Sequence, residues 1–291
     1  MIKLYRAEWK KTANHRWLAG FLIWIFPVGA LAFYTIVVIA TMFSDAAIIN
    51  FGLNAVTWTD ASNVWNTLSS YPGNVLGRMP ILAFVATLFA GEYEWGTWKN
   101  ITPRNSRSAL ILAKFLAFGV YVVLAFAAMS VIVGLGNGIA TAIAGLPYPP
   151  APTLDVVSAF LGDYALRAGL AFLSTLIVVS FAAFAALITR KIVGGIMIGF
   201  LISIIEPNLW LACLGLSKLF NNPDLVELYR YAPSFNIGNI DEWIRFNHAL
   251  DMTPILSTQV SLGVSIVVVG LWVVGMIALV MLVFRRQDIT S

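Results

Sequence analysis

Four stretches of this chain contain no Asp, Glu, Lys or Arg: residues 17–44, 115–154, 168–189 and 252–284. Each exceeds the roughly 20 residues that a helix needs to cross about 30 Å of hydrocarbon. A soluble domain of 291 residues would carry about a quarter charged residues. Here only 11% are charged, 59% are hydrophobic, and the mean hydropathy is +0.84. The expected fold class is therefore an all-α polytopic membrane protein, a single transmembrane domain over residues 1–291.

Six transmembrane helices are predicted, at residues 17–43, 71–91, 109–144, 158–189, 192–216 and 256–284. The second must reach back beyond Arg78. Residues 79–91 alone give only about 20 Å of helix at about 1.5 Å per residue. Arg78 is then expected near the outer interface. The fifth meets Glu206-Pro207, and proline removes a helix donor and clashes with the preceding turn, so a kinked or re-entrant span is expected. The first run follows basic residues, as in a secretory signal. It is much longer than the usual core of about 7–15 residues, and no small-x-small cleavage site follows, so it reads as a retained span. The single cysteine, Cys213, excludes a disulfide framework and a multi-cysteine metal site; it reads as a buried, small apolar residue.

Orientation follows from the basic residues. With both termini on one side, that side holds 13 of the 18 Lys and Arg, among them Lys3, Arg6, Lys10, Lys11, Lys99, Arg190, Arg285 and Arg286. It holds only four of the 14 acidic residues: Glu8, Glu92, Glu94 and Asp288. Both termini are thus expected in the cytoplasm of a bacterial or archaeal cell, with the protein in its plasma membrane. The isoelectric point near 9.2 reflects this topology rather than nucleic-acid binding. Residues 1–16 place Ile2, Tyr5 and Trp9 on one helical face and Lys3, Arg6 and Lys10 on another. That pattern predicts an N-terminal amphipathic interfacial helix in the headgroup plane of the lipid bilayer. The outer loop 217–255 contains 224–229 and 240–244, which read as short amphipathic helices.

Several chemistries are missing. There is no G-x-x-x-x-G-K-[ST] phosphate loop. The two histidines, His15 and His248, fall on opposite sides in this topology, and no H-E-x-x-H occurs. Asp163 lacks the second intramembrane carboxylate that an aspartyl protease needs, and it precedes Arg167 by four residues, the spacing of a helix-surface ion pair. No catalytic residue, cofactor site or metal site is expected on this chain.

One polar island interrupts the apolar pattern: Gly91-Glu92-Tyr93-Glu94-Trp95-Gly96-Thr97-Trp98-Lys99-Asn100-Ile101-Thr102-Pro103-Arg104-Asn105-Ser106-Arg107. It must lie outside the hydrocarbon, where it can meet a soluble partner. Glu92 and Glu94 are expected near the start of a short helix, favouring its N-terminal dipole. Gly96 permits a sharp turn. Trp95 and Trp98 are expected to seat in the interface or fill a partner's groove. Arg104 and Arg107 offer charge to acidic groups.

In order, Glu92, Gly96-Thr97, Trp98 with Ile101, Pro103, Ser106-Arg107 and Lys114 follow a recurring pattern, and the ending Phe284-Arg285-Arg286-Gln287-Asp288 agrees with it. On these residues the chain resembles the membrane (permease) subunits of type-two ABC exporters. Lys99-Asn100 and the longer Arg104-Asn105 segment depart from that pattern. The resemblance implies a cytoplasmic coupling helix between spans two and three, here 92–108. It also implies a separate cytoplasmic ABC ATPase subunit carrying ATP and Mg, and pairing with a second permease copy or related permease. The coupling residues it implies are Glu92, Glu94, Gly96, Thr97, Trp98, Pro103, Arg104 and Arg107, with Arg190 and Lys191 in the second cytoplasmic turn as a minor contact. The expected activity is outward movement of an amphipathic or hydrophobic substrate, a drug, peptide or lipid-like molecule. The rivals are an ion-gradient-driven secondary transporter and a peptide-sensing or immunity subunit.

Glu206 and Pro207 are the candidates for a pathway, since an ionisable group at membrane depth is expensive; the plainer alternative puts Glu206 at the outer interface. Gly195-Ile196-Met197-Ile198-Gly199 and Gly134-Leu135-Gly136-Asn137-Gly138 fit close helix packing, within the chain or in a dimer. Trp17, Trp58, Trp65, Tyr71 and Tyr148 read as interface anchors.

Overall fold

The computed structural model describes residues 2–14, 23–69, 73–101, 106–252 and 259–287. Among these residues the chain is all-helical, without strands. The helices are α1 (Ile2–Asn14), α2 (Ile25–Phe43), α3 (Asp45–Asn50), α4 (Trp58–Ser62), α5 (Asn66–Ser69), α6 (Gly73–Glu94), α7 (Trp98–Ile101), α8 (Arg107–Ile143), α9 (Leu154–Thr189), α10 (Ile192–Ile205), α11 (Leu209–Phe220), α12 (Pro233–Phe246) and α13 (Leu262–Arg286). Six helical stretches are long and apolar enough to cross a membrane: α2, α6, α8, α9, α10 with α11, and α13. Trp17 and Tyr71 lie outside the described residues.

Helix ends are set by caps as much as by charge. α6 continues through Glu92 and Glu94 and stops only at Gly96, whose φ is +64°. There the Thr97 N–H donates to the Glu92 carbonyl at 2.9 Å and the Gly96 N–H to the Tyr93 carbonyl at 3.1 Å, a Schellman motif. α8 ends the same way at Gly145, with the Leu146 N–H donating to Thr141 at 2.8 Å. Pro207 interrupts the fifth stretch, where Glu206–Asn208 forms a 3-10 turn between α10 and α11.

The chain packs as two compact units, one of Met1–Thr67 with Ala113–Ala168 and the other of Leu68–Leu112 with Gly169–Ser291. In the first, α1 is fastened to α8 by a buried ion pair. The Lys114 Nζ lies 3.2 Å from the Glu8 Oε2, with side chains 1% and 6% exposed. Trp9 stacks on Tyr121 at 4.2 Å between centroids, and the Tyr121 hydroxyl donates to the Trp9 carbonyl. The packed face of α1 therefore runs through Glu8, Trp9 and Thr12, while Ile2, expected on the apolar face, is 71% exposed. α2 packs on α8 through Tyr34. Its ring occupies the space over Gly136, where a Cβ would come within 2.6 Å, and its hydroxyl accepts from Asn137 Nδ2 at 2.8 Å. Trp65 is not an exposed anchor: it is buried and stacks on Phe126. Asp163 accepts from Arg167 Nε at 2.7 Å.

In the second unit α10 crosses α6 and α9 at two glycines. A Cβ on Gly195 would lie 2.8 Å from the Ala186 Cβ and 2.9 Å from the Ala86 Cβ; one on Gly199 would lie 2.8 Å from the Ala182 Cβ. The glycine spacing serves a crossing within the chain. Arg78 is 1% exposed, buried among the helices; its Nη2 donates to the Leu68 carbonyl at 2.7 Å and the Ser174 hydroxyl at 2.6 Å. A guanidinium removed from water must find such acceptors within the protein. The two expected short helices after residue 217 are a 3-10 segment Pro223–Tyr231 and the longer α12. Buried Asn239 ties α12 to the start of α13, donating to the Val260 carbonyl at 2.9 Å and the Ser265 hydroxyl at 2.8 Å. Cys213 is only half-buried, beside a cluster around Val226, Tyr229 and Phe235, because α11 presents it at that cluster's edge.

Candidate functional site

The polar segment after the second crossing is held by its own chain. Glu92 and Glu94 occupy the last turn of α6 rather than the start of the next helix, since the Schellman turn at Gly96 follows them. The Glu92 carboxylate is buried and accepts from the Thr97 hydroxyl, which stiffens the turn from inside. Glu94 does meet a helix N-terminus, but that of α10: its Oε1 accepts the Ile192 N–H at 2.8 Å. A carboxylate there satisfies an orphan donor and faces the positive end of the helix dipole. This contact brings Arg190 and Lys191, in the turn between α9 and α10, beside the 92–98 segment. The Arg190 guanidinium sits 5.5 Å from the centre of the Tyr93 ring.

Trp98 opens α7 and points inward. It is 2% exposed, with its ring 4.4 Å from Phe284 and 5.8 Å from Tyr93. Burying an indole of roughly 200 Å² contributes at most about 5 kcal/mol by area. The expected seat in a partner's groove is thus taken by the chain's own last helix. Arg107 is likewise engaged within the chain. Its Nη1 donates to the carbonyls of Phe284, Arg285 and Gln287 at 3.1, 2.9 and 2.6 Å. A cation at this position satisfies the orphan carbonyls of α13 and faces the negative end of its dipole. Tyr93 donates to Gln287 Oε1, and Gln287 Nε2 donates to the Leu187 carbonyl at 2.7 Å, so one residue after α13 bridges α6 and α9.

No family model and no curated protein matches this sequence. Pro103 and Arg104 lie outside the described residues. The remainder forms one cluster in which the ends of α6, α9 and α13 and the start of α10 meet around Trp98 and Gln287. Its exposed face carries Trp95, 47% exposed, together with Glu94, Lys99, Arg190 and Lys191. Trp95 folds back over Gly91, where a Cβ would come within 3.0 Å of the indole. Tyr93 and Gln287 belong to this cluster although residue types alone do not single them out; the only signal is the position of Gln287 in the Phe284–Asp288 tail.

Glu206 and Pro207 stand apart, about 21 Å of helix beyond Ile192. Glu206 is buried, and its Oε1 accepts the Ser234 N–H at 2.5 Å, capping the start of α12. Pro207 forms the 3-10 turn that points Glu206 there. A structural task therefore accounts for this carboxylate.

Proposed function

We propose that this chain is the permease subunit of an ATP-driven exporter of the type-two ABC kind, moving an amphipathic or hydrophobic substrate outward. Separate cytoplasmic ATPase subunits bind ATP and Mg, and a second permease copy or related chain completes the pathway. On this reading both termini are cytoplasmic, α1 lies at the headgroups, and residues 92–107 couple the ATPase to the spans.

The observation that supports it is the clamp around Trp98. Transmission needs a polar surface that a soluble partner can push and a connection without slack to several crossing helices. The exposed side chains of Glu94, Trp95, Lys99, Arg190 and Lys191 supply the surface. The Schellman turn, the Glu94–Ile192 bond, the Trp98–Phe284 contact and the Arg107 carbonyl fork join it to the ends of four membrane helices. An ion-gradient mechanism would need an available intramembrane carboxylate, and Glu206 is engaged in capping α12.

The test separates contact from transmission. The full chain is purified from cells, and an ATPase subunit that stays bound to it is identified. Trp95→Ala with Lys99→Glu should abolish capture, since both alter the exposed face. Trp98→Leu should retain capture yet lose ATP-dependent flux, since it loosens the clamp behind that face. In a Cys213→Ala background, labelling of Lys99→Cys by an impermeant maleimide from outside intact cells would overturn the proposal.

A further inference from the structure

α1 turns one side to the protein and leaves the other open. Glu8 and Thr12 are buried and Leu4, Tyr5 and Trp9 half-buried, all on one side of the helix, where Glu8 and Trp9 meet α8. Lys3, Arg6 and Lys10 follow one another at spacings of three and four residues, which aligns them on the opposite side. All three are exposed, and none has an ion-pair partner among the described residues. Glu8, the one acidic residue of α1, already faces Lys114. The only large apolar side chain of α1 that is exposed is Ile2, so little apolar area remains for insertion into lipid. An interfacial helix holds a membrane by apolar area and by charge; here the aromatic side packs within the chain, and charge is what remains.

Two observations put this side at the depth of the lipid head groups. Lys114, which Glu8 meets, is the last charged residue of α8. The uncharged remainder, residues 115–143, is about 43 Å long at about 1.5 Å per residue, which matches a bilayer of about 40–45 Å with its head groups. The second is the aromatic cluster of Tyr5, Trp9 and Tyr121, with the Tyr5 and Trp9 rings 6.3 Å apart. Such side chains concentrate where water gives way to hydrocarbon. A soluble protein reaches that depth only by displacing lipid, whereas phospholipid phosphates are there already. An anionic head group complements the three cations, and each cation near an anionic surface strengthens the attraction about fivefold.

We infer that Lys3, Arg6 and Lys10 bind the head groups of anionic phospholipids, so that α1 gathers such lipids beside the start of α8. Charge, rather than apolar insertion, then holds α1 to the membrane. This rests on the placement of α1 at the headgroups proposed above, but it needs no ATPase, so its test stands apart from the capture experiment.

The full chain in a Cys213→Ala background carries bimane on Ala7→Cys; Ala7 is exposed, four residues after Lys3 and three before Lys10. In phosphatidylcholine nanodiscs it meets equal small fractions of phosphatidylglycerol or phosphatidylcholine, each spin-labelled at the same position near the top of one acyl chain. Quenching then reports which lipid lies beside α1. The association constant for phosphatidylglycerol should exceed that for phosphatidylcholine at least about fivefold, the factor one cation supplies. Lys3→Gln, Arg6→Gln and Lys10→Gln together should bring the two within about twofold, and Arg6→Gln alone should give an intermediate preference. Lys3→Arg, Arg6→Lys and Lys10→Arg together should keep the preference, which separates charge from packing, and high salt should weaken it. Quenching by neither lipid overturns the placement of α1 along with the inference. Equal quenching by both, or a preference that survives the neutralised variant, overturns the inference alone. If quenching is equal and the neutralised variant also loses its ATPase, the basic side belongs to a protein partner instead.

Discussion

Removing the Glu8 carboxylate should detach α1 from α8, and the size of the effect follows from the burial of both partners. At 3.2 Å the pair attracts by about 5 kcal/mol at an effective dielectric near 20. Desolvation costs several kcal/mol per ion, so the intact pair contributes little net stability. Removing one partner is different: Lys114, with 1% of its side chain exposed, would lose its carboxylate while still held out of water, at a cost of about 3–5 kcal/mol. α1 carries Lys3, Arg6, Lys10 and Lys11, so limited trypsin digestion reads its detachment directly. Cleavage through a locally opened state follows its population, and about 3 kcal/mol corresponds to more than a hundredfold. Glu8→Gln should therefore accelerate cleavage after Lys10 and Lys11 by about two orders of magnitude, while cleavage after Arg245 stays unchanged. Glu8→Leu with Lys114→Met should restore most of the protection, because a packed apolar pair needs no counter-charge. A single variant within threefold of wild type, or a double variant as labile as the single, would refute the buried-pair reasoning.

Four further outcomes follow from backbone geometry and packing. Gly195→Ala should lower the thermal midpoint in detergent by the equivalent of about 1–3 kcal/mol, since its Cβ meets Ala186, Ala86 and the Ala182 carbonyl. Gly270→Ala, with nothing within 4 Å, should leave the midpoint unchanged or raise it. Gly96→Ala should cost about 1–2 kcal/mol, because φ there is +64° and no neighbour is crowded; faster amide exchange across residues 92–101 is the readout. Asn239→Leu should destabilise by at least about 2 kcal/mol. It strands the Leu250 N–H and leaves the Val260 carbonyl with only the longer bond from Trp243 Nε1, a loss measurable as a lower midpoint of unfolding.

Much of the helical framework was legible before any coordinates. A run of twenty or more residues without charge admits few alternatives to a membrane helix, and the breaks at Gly145 and Pro207 are local backbone chemistry. The Asp163–Arg167 pair was legible for the same reason, as its partners share one helix face. The site was legible only as a place. Residues 92–107 stood out as polar, but the directions of their side chains did not: residue type offers Trp98 to the interface or a partner's groove and Arg107 to a partner's acidic groups, and both face α13.

What residue order determined by itself is thus the set of helices, their approximate ends and the positions too polar for hydrocarbon, all of which depend on near neighbours along the chain. Only the tertiary structure decided that Glu8 meets Lys114, that Arg78 is interior, that Glu206 caps α12, and which face of the polar segment remains open. Each joins residues far apart in sequence. A charged side chain has the same local preferences whether its partner is water, a carbonyl at another helix end or a second protein, and only packing brings one of these within reach.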